Sequence, residues 1–273
     1  MRNQIEMRSD PAPTPGCDDS SRGPRSRPRN LRLEVQYDGT GYHGWQIQPR
    51  LRTIQGELTR TLESIVREPV HVCGSGRTDA GAHALAQVCH FHTTSRLELS
   101  SLWKALNSRL PATIRVTGIE NAADDFHARH HARTKHYRYR ILNTTWCPPF
   151  EYPFVHHVHR RLDYEKLNRA AELVVGKRDF SAFCDADSQA KCKIRRVTTS
   201  LFVFDTRRKL LEYNVCADGF LHHMVRNLVG TFLEVGRGKL PVEAIPAILE
   251  SKDRSRAGPT APAKGLFLVW VGY

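Results

Sequence analysis

Hydrophobic positions along the chain switch between a period of two and a period of three to four. Leu31, Leu33, Val35 and Tyr37 fall on alternate positions with polar residues between them, the mark of a half-buried strand. Ile54, Leu58, Leu62 and Ile65 recur at helical spacing behind Thr53, whose hydroxyl can cap the first turn. Residues 70–73 and 86–92 read as strands on either side of a glycine-rich loop. A short helix opens at Ser100 or Ser101 and ends before Pro111, and 114–119 and 135–142 read as further strands. Asp163 caps a helix carrying Leu167, Ala170, Ala171 and Val174, which Gly176 stops. Residues 197–205 and 210–217 form a hairpin around Thr206-Arg207-Arg208. Val225, Leu228, Val229 and Phe232 mark a helix from about His222 to Val235, Pro241 stands at the start of another, and 266–271 is a strand apolar enough to be central. This interleaving predicts an α+β fold with two similar halves, 31–134 and 135–273. No short-period repeat is present, so the halves rest on element order alone.

Residues 1–30 stand apart. Pro11, Pro13, Pro15, Pro24 and Pro28 mix there with Arg22, Arg25, Arg27 and Arg29, and almost nothing apolar is available to bury. Such a segment reads as a disordered basic arm, with the folded chain beginning near Leu31. Across 273 residues, 40% hydrophobic and 25% charged, the composition is that of a globular protein. No run approaches the roughly 18 apolar residues of a membrane span, and the N-terminus lacks the apolar core of a secretory signal, so the cytoplasm is the expected location. The net charge of +13, from 41 Lys and Arg against 28 Asp and Glu, favours a polyanionic partner. Nucleic acid comes before anionic membranes and acidic proteins in that class.

The seven cysteines are odd in number and scattered, with no C-x-x-C pair, and read as reduced thiols and not as a zinc or redox motif. The 14 histidines gather at His127-His130-His131, His156-His157-His159 and His222-His223. None of these has metal-ligand spacing, and they read as basic surface positions. The strongest local signal is the loop Gly74-Ser75-Gly76-Arg77-Thr78-Asp79-Ala80-Gly81-Ala82-His83. Its glycines permit tight turns and close approach of a ligand around one Arg and one Asp. On spacing alone, a solvated turn with an Arg–Asp pair and a site that binds an anion and acts on it are both open. The loop lacks the G-x-x-x-x-G-K-[ST] pattern of a nucleotide-phosphate cradle.

Residues 76–84 resemble the catalytic G-R-T-D-A-G-V-H-A motif of the TruA family of tRNA pseudouridine synthases, with Ala82 in place of Val. The resemblance extends in order through most of the chain. Tyr37-Asp38-Gly39-Thr40-Gly41-Tyr42-His43-Gly44-Trp45-Gln46 is similar to the family's opening segment, and Thr53 to Leu58 to its next helix start. Lys135-His136-Tyr137-Arg138-Tyr139 resembles its central Y-x-Y strand. Gly176 to Phe183, Phe220 to Arg226 and Ala261 to Leu266 follow in family order. Together they span about 31–273.

The resemblance implies the pseudouridine synthase fold, a mixed and mainly antiparallel sheet with helices, in two halves around a basic cleft. It implies isomerisation of uridine to pseudouridine in the anticodon stem-loop of tRNA, at positions 38 to 40, by a homodimer, without metal or nucleotide cofactor. Asp79 becomes the catalytic nucleophile or base, and Arg226 the cation paired with it, at the border between its helix's apolar stripe and the cleft. Tyr137 becomes the residue that stacks on the displaced uracil and relays a proton. Arg77, with Tyr137 and Arg226, becomes a substrate-binding residue that fills the gap left by an extruded nucleotide. Asp38, Tyr42 and Trp45 shape the neighbouring loop. The reading from another class is a non-catalytic tRNA-binding or RNA-chaperone module on the same fold. A zinc-dependent deaminase would need H-x-E with P-C-x-x-C, which is absent.

Overall fold

The computed structural model of the protein describes residues 27–185 and 190–273. The expected arm therefore lies outside the described residues, except for its last few positions. Arg29 and Asn30 already belong to strand β1 (Arg29–Tyr37), which starts two residues before the first alternating leucine.

Ten strands among the described residues share one sheet. After β1 come β2 (Cys73–Gly74), β3 (His83–Thr93), β4 (Ile114–Asn121) and β5 (Thr134–Leu142). The two-residue β6 (His156–His157) and β7 (Gly176–Asp179) precede the hairpin of β8 (Ile194–Asp205) and β9 (Leu210–Ala217), and β10 (Leu266–Gly272) follows. The order across the sheet is β4-β1-β3-β10-β5-β9-β8-β7, with β2 beside β3 and β6 beside β5. Pairing is antiparallel except for β10 with β3 and β5 with β6. The fold class is thus mixed α and β with a mostly antiparallel sheet, as expected.

Local chemistry explains most boundaries. In α1 (Ile54–Val66) the Thr53 side chain accepts a hydrogen bond from Gly56 N, and Ile54, Leu58 and Leu62 turn inward. Asp163 accepts from Lys166 N to start α3 (Tyr164–Glu172). Helix α2 (Leu99–Arg109) starts one residue ahead of the expected serines, with no side-chain cap. Strand β3 is longer than its alternating stretch because it starts at His83, inside the glycine-rich loop, while the expected 70–73 strand shrinks to Cys73–Gly74. Both differences arise where the loop is gripped by neighbours that its own pattern does not reveal.

Helix α4 (Met224–Gly236) is buried on nearly every side, and α5 (Ala244–Ser251) follows Pro241. The segment after α5 is lashed to α4. Gly258 N donates to Thr231 Oγ1 at 2.8 Å, Arg254 Nη2 and Thr260 Oγ1 both donate to Asn227 Oδ1, and Ala261 N donates to Arg226 O. A Cβ on Gly230 would stand 1.6 Å from Pro259 O, so the two backbones touch there. Gly230→Ala is expected to lower stability by about 3 kcal/mol or more, because neither backbone can retreat from the added methyl. Urea unfolding of the variant against wild type measures this.

Candidate active site

The loop between β2 and β3 is held by its backbone. Lys135 Nζ on β5 donates to Ser75 O at 2.7 Å, and Gln87 Nε2 donates to Gly76 O at 3.0 Å. Trp45 N donates to Thr78 O at 3.0 Å, and the Thr78 hydroxyl lies 2.8 Å from the Tyr37 hydroxyl. Gly44 has φ +83°, and a Cβ there would meet Thr78 O at 2.6 Å, so only glycine lets the two chains lie this close. Tyr42 and Trp45 are buried under the loop. Beyond Asp79 the chain turns tightly, with Ala82 N donating to Asp79 O at 3.1 Å.

His83 closes the turn. Its Nδ1 accepts from Gly39 N at 3.1 Å, and Nε2 lies 3.2 Å from both Pro153 O and Lys264 O. Burial holds its pKa down, against the opposing charge of Asp38. The neutral ring with hydrogen on Nε2 satisfies all three backbone groups. This histidine is a clamp that ties the loop to two distant segments.

The scaffold presents Asp79 to α4. Arg226 Nη1 donates to Asp79 Oδ2 at 2.7 Å, while its Nε donates to Ala261 O at 2.7 Å. The fork is therefore shared between the carboxylate and the strap. A second imidazole belongs to the same cluster: His223 Nε2 lies 3.5 Å from Asp79 Oδ2, and its Nδ1 contacts Asp185 Oδ2. His223 is mostly buried here, not the basic surface position expected of the His222-His223 pair, and Asp185 did not stand out in the sequence. The available signal was the three-residue spacing of His223 and Arg226, one helical turn on one face.

Tyr137 lies on β5 between β10 and β9, opposite Leu268 and Val215. Its ring meets Phe220 edge-on at 4.9 Å. Burial, reinforced by the Tyr37 and Asp79 charges, pushes the phenol pKa far above its ordinary value, so it stays protonated. Arg77 is exposed, with Nε 3.3 Å from Gln46 Oε1. Arg129 and Arg195 add positive charge around Lys135. The loop thus carries Asp79 inward and Arg77 outward beside a cationic surface.

Two groups of possible metal ligands occur among the described residues, Cys73-His90-His127 and Asp79-His222-His223. In the first, Nδ1 of His90 accepts from Ala128 N, and Nδ1 of His127 accepts from Arg129 N and His130 N. The remaining nitrogens must then carry hydrogen, and that tautomer cannot coordinate through them. In the second, Asp79 Oδ2 already accepts a hydrogen bond from Arg226 Nη1 at 2.7 Å.

A pinned loop thus delivers the Asp79 carboxylate to the Arg226 guanidinium, beside the buried Tyr137 and close to the cationic Lys135, Arg129 and Arg195. A family model described as tRNA pseudouridine synthase matches residues 34–131 and 170–273, which include Asp79 and Arg226. Curated relatives agree. The tRNA pseudouridine synthase A of Caldicellulosiruptor bescii is 43% identical, that of Acetivibrio thermocellus 42% and that of Solibacter usitatus 43%; each alignment covers 90% of this chain and 100% of the relative. The chain belongs to the tRNA pseudouridine synthase family. Among solved structures, the 3-hydroxy-3-methylglutaryl-coenzyme A reductase of Streptococcus pneumoniae is 12% identical with a TM-score of 0.18, over 85% of this chain and 69% of that one, too poor a superposition to bear on the fold.

Burial lowers the pKa of the Lys135 amine from 10.5 to about 8, with Arg129 and Arg195 adding to the effect. A depressed value in the fold means that the unfolded chain binds more protons between those two pH values. Stability of wild type relative to Lys135→Met should therefore rise as pH increases from about 8 to about 10.5, and stay flat below about 8. Paired thermal melts across that range check the sign.

Proposed function

We propose that this protein isomerises uridine to pseudouridine in tRNA, with Asp79 as its catalytic carboxylate. The observation that carries this reading is the 2.7 Å contact between Asp79 and Arg226, two residues 147 positions apart in sequence. In the reaction the bond from uracil N1 to C1′ breaks, the base rotates, and C5 bonds to C1′. The C5 proton is lost and N1 gains one, so no oxidant, reductant or second substrate is required. Asp79 either attacks C1′ or removes the proton on C2′. Both roles need an ionised carboxylate, and the Arg226 guanidinium fixes one of its oxygens.

Tyr137 stays protonated and lies beside the carboxylate, so its ring can face the detached uracil and its hydroxyl can pass a proton. A uridine in a stem must leave the stack first, at a cost of a few kcal/mol. Arg77, exposed on the same loop, can occupy the vacated space. Residues 31–134 supply Asp79 and Arg77, and 135–273 supply Tyr137 and Arg226, so the two halves form opposite sides of the site. The reading extends to uridines 38 to 40 of the anticodon arm, a homodimer with tRNA lying across both copies, and a cytoplasmic location. No helix among the described residues is long and apolar enough to cross a membrane.

Asp79→Asn keeps the shape of the side chain and removes its charge. It should cut single-turnover pseudouridine formation on an unmodified tRNA transcript by about a thousandfold or more, with tRNA affinity nearly unchanged. A rate within about tenfold of wild type would refute the assignment of Asp79.

Arg226→Lys should lower the same rate by about 10- to 100-fold, because an ammonium cannot bond both Asp79 and Ala261 O in the geometry of the fork. Arg226→Met should be slower still. Binding should persist in both, since one arginine is a small part of a +13 surface. Filter binding run beside single-turnover kinetics separates the two effects.

A further inference from the structure

The site holds a second carboxylate that the reaction as written does not use. Asp185 accepts from Asn227 Nδ2 at 3.1 Å and forms a very short contact with His223 Nδ1. The other ring nitrogen of His223 points to the opposite side of the bridge, 3.5 Å from Asp79 Oδ2. That oxygen is also the one held by Arg226 at 2.7 Å. One imidazole therefore spans the Asp79 carboxylate and a carboxylate behind it.

Ionised carboxylates only accept hydrogen bonds, and an imidazole serves two acceptors only when both nitrogens carry hydrogen. A neutral ring bonded to Asp185 through Nδ1 would turn its Nε2 lone pair toward an anionic oxygen. The geometry fits the imidazolium. The backbone agrees that the ring's placement matters. His223 has φ +57° and ψ +7° where it precedes α4, although a residue in that position is ordinarily extended. A non-glycine residue in the left-handed region costs about 1 kcal/mol and persists only where its surroundings impose it.

The other charged groups around the ring are few. Arg254 Nε lies 3.8 Å from Asp185 Oδ1, and the His222 ring stacks on His223 with centroids 3.9 Å apart. Among the described residues, two carboxylates and two guanidiniums surround the ring with His222. A charged His222 would oppose the proton on His223, and Asp79 and Asp185 favour it. Burial pushes the Asp185 carboxyl up, but the bonds from Asn227 and His223 and the histidine charges more than offset this, leaving it below the ordinary range.

We propose that His223, gripped by Asp185, is a positioning residue. As an imidazolium it steadies Asp79 Oδ2 together with Arg226, and its proton makes the rate of isomerisation depend on pH. The inference rests on the reading of Asp79 as the catalytic carboxylate. The same tether, Nδ1 on a carboxylate with Nε2 outward, also orients histidines that bind metals. Here the fixed positive charge of Arg226 on the shared oxygen repels a divalent ion more strongly than it repels a single proton.

The test uses the full chain and an anticodon-arm tRNA transcript tritiated at uridine C5, whose label is released when C5 forms its new bond. Single-turnover rates of wild type, Asp79→Asn, Asp185→Asn and His223→Gln are compared from about pH 6 to about pH 9, the span in which a carboxylate-flanked histidine changes charge. Rates are taken as ratios to wild type, which cancels titration of the RNA. Asp185→Asn removes one stabilising charge, so its deficit should grow about tenfold toward high pH. His223→Gln has no proton to lose, so its deficit should be largest at low pH and shrink as pH rises. Opposite slopes with unchanged tRNA affinity establish the role. If Asp185→Asn does not fold, the slope of His223→Gln decides alone.

Deficits independent of pH would mean that the bridge is only structural, and would overturn the inference while a dead Asp79→Asn upheld the proposed function. An active Asp79→Asn would overturn both. Activity on a short anticodon hairpin that is lost in EDTA and restored by a divalent ion would also overturn it, by making the cluster a metal site.

Discussion

The ion pair between Asp79 and Arg226 is the interaction around which the rest is arranged. Neither partner can make this pair from its own part of the chain. Asp79 rides on a loop ahead of β3, and Arg226 on a helix far along the sequence. The fold brings them to 2.7 Å by fixing both supports, with Trp45, Gln87 and Lys135 gripping the loop and the 254–261 strap gripping α4. Arg226 itself joins the strap to the carboxylate, because its Nε bonds Ala261 O. Packing far from the chemistry is thereby converted into a fixed angle at one carboxyl oxygen.

The sequence revealed elements whose cause is local. Thr53 and Asp163 cap helices through their own side chains, and the alternation in β1 and the central apolar run of β10 follow from burial on one or both faces. What it did not reveal depends on distant partners. His83 reads only as the end of the glycine-rich motif until Gly39, Pro153 and Lys264 gather around it. Lys135 reads as the exposed start of a strand, yet its amine is drawn under the Ser75 carbonyl. His223 and Asp185 sit 38 positions apart with no shared motif. Asp79 and Arg226 were legible by resemblance, but the division of the arginine fork between Asp79 and Ala261 was not, since only the folded strap supplies the second acceptor.

The glycines of the site have a common use. At Gly44 and Gly230 the missing side chain is what lets one backbone lie directly on another, loop on loop in the first case and strap on helix in the second. Backbone-to-backbone contacts of this kind have no side-chain torsions to relax. A site built on them is stiff, which suits a reaction in which the base must rotate while the sugar and the carboxylate hold still.

The position of β10 has a consequence for how such a molecule is made. It lies between β3 and β5, pairing Phe267 with His83 on one side and Leu266 with Tyr139 on the other. Until it docks, two interior strands expose unpaired edges, and β4, β1 and β3 have no strand pairing with the rest of the sheet. Contacts spanning so much of the chain are slow to form, and exposed strand edges invite pairing with other molecules. The seam of the sheet is thus the joint that holds the Asp79 side of the molecule to the Tyr137 side, and a chain in which β10 is left unpaired would present two open strand edges and separate those residues.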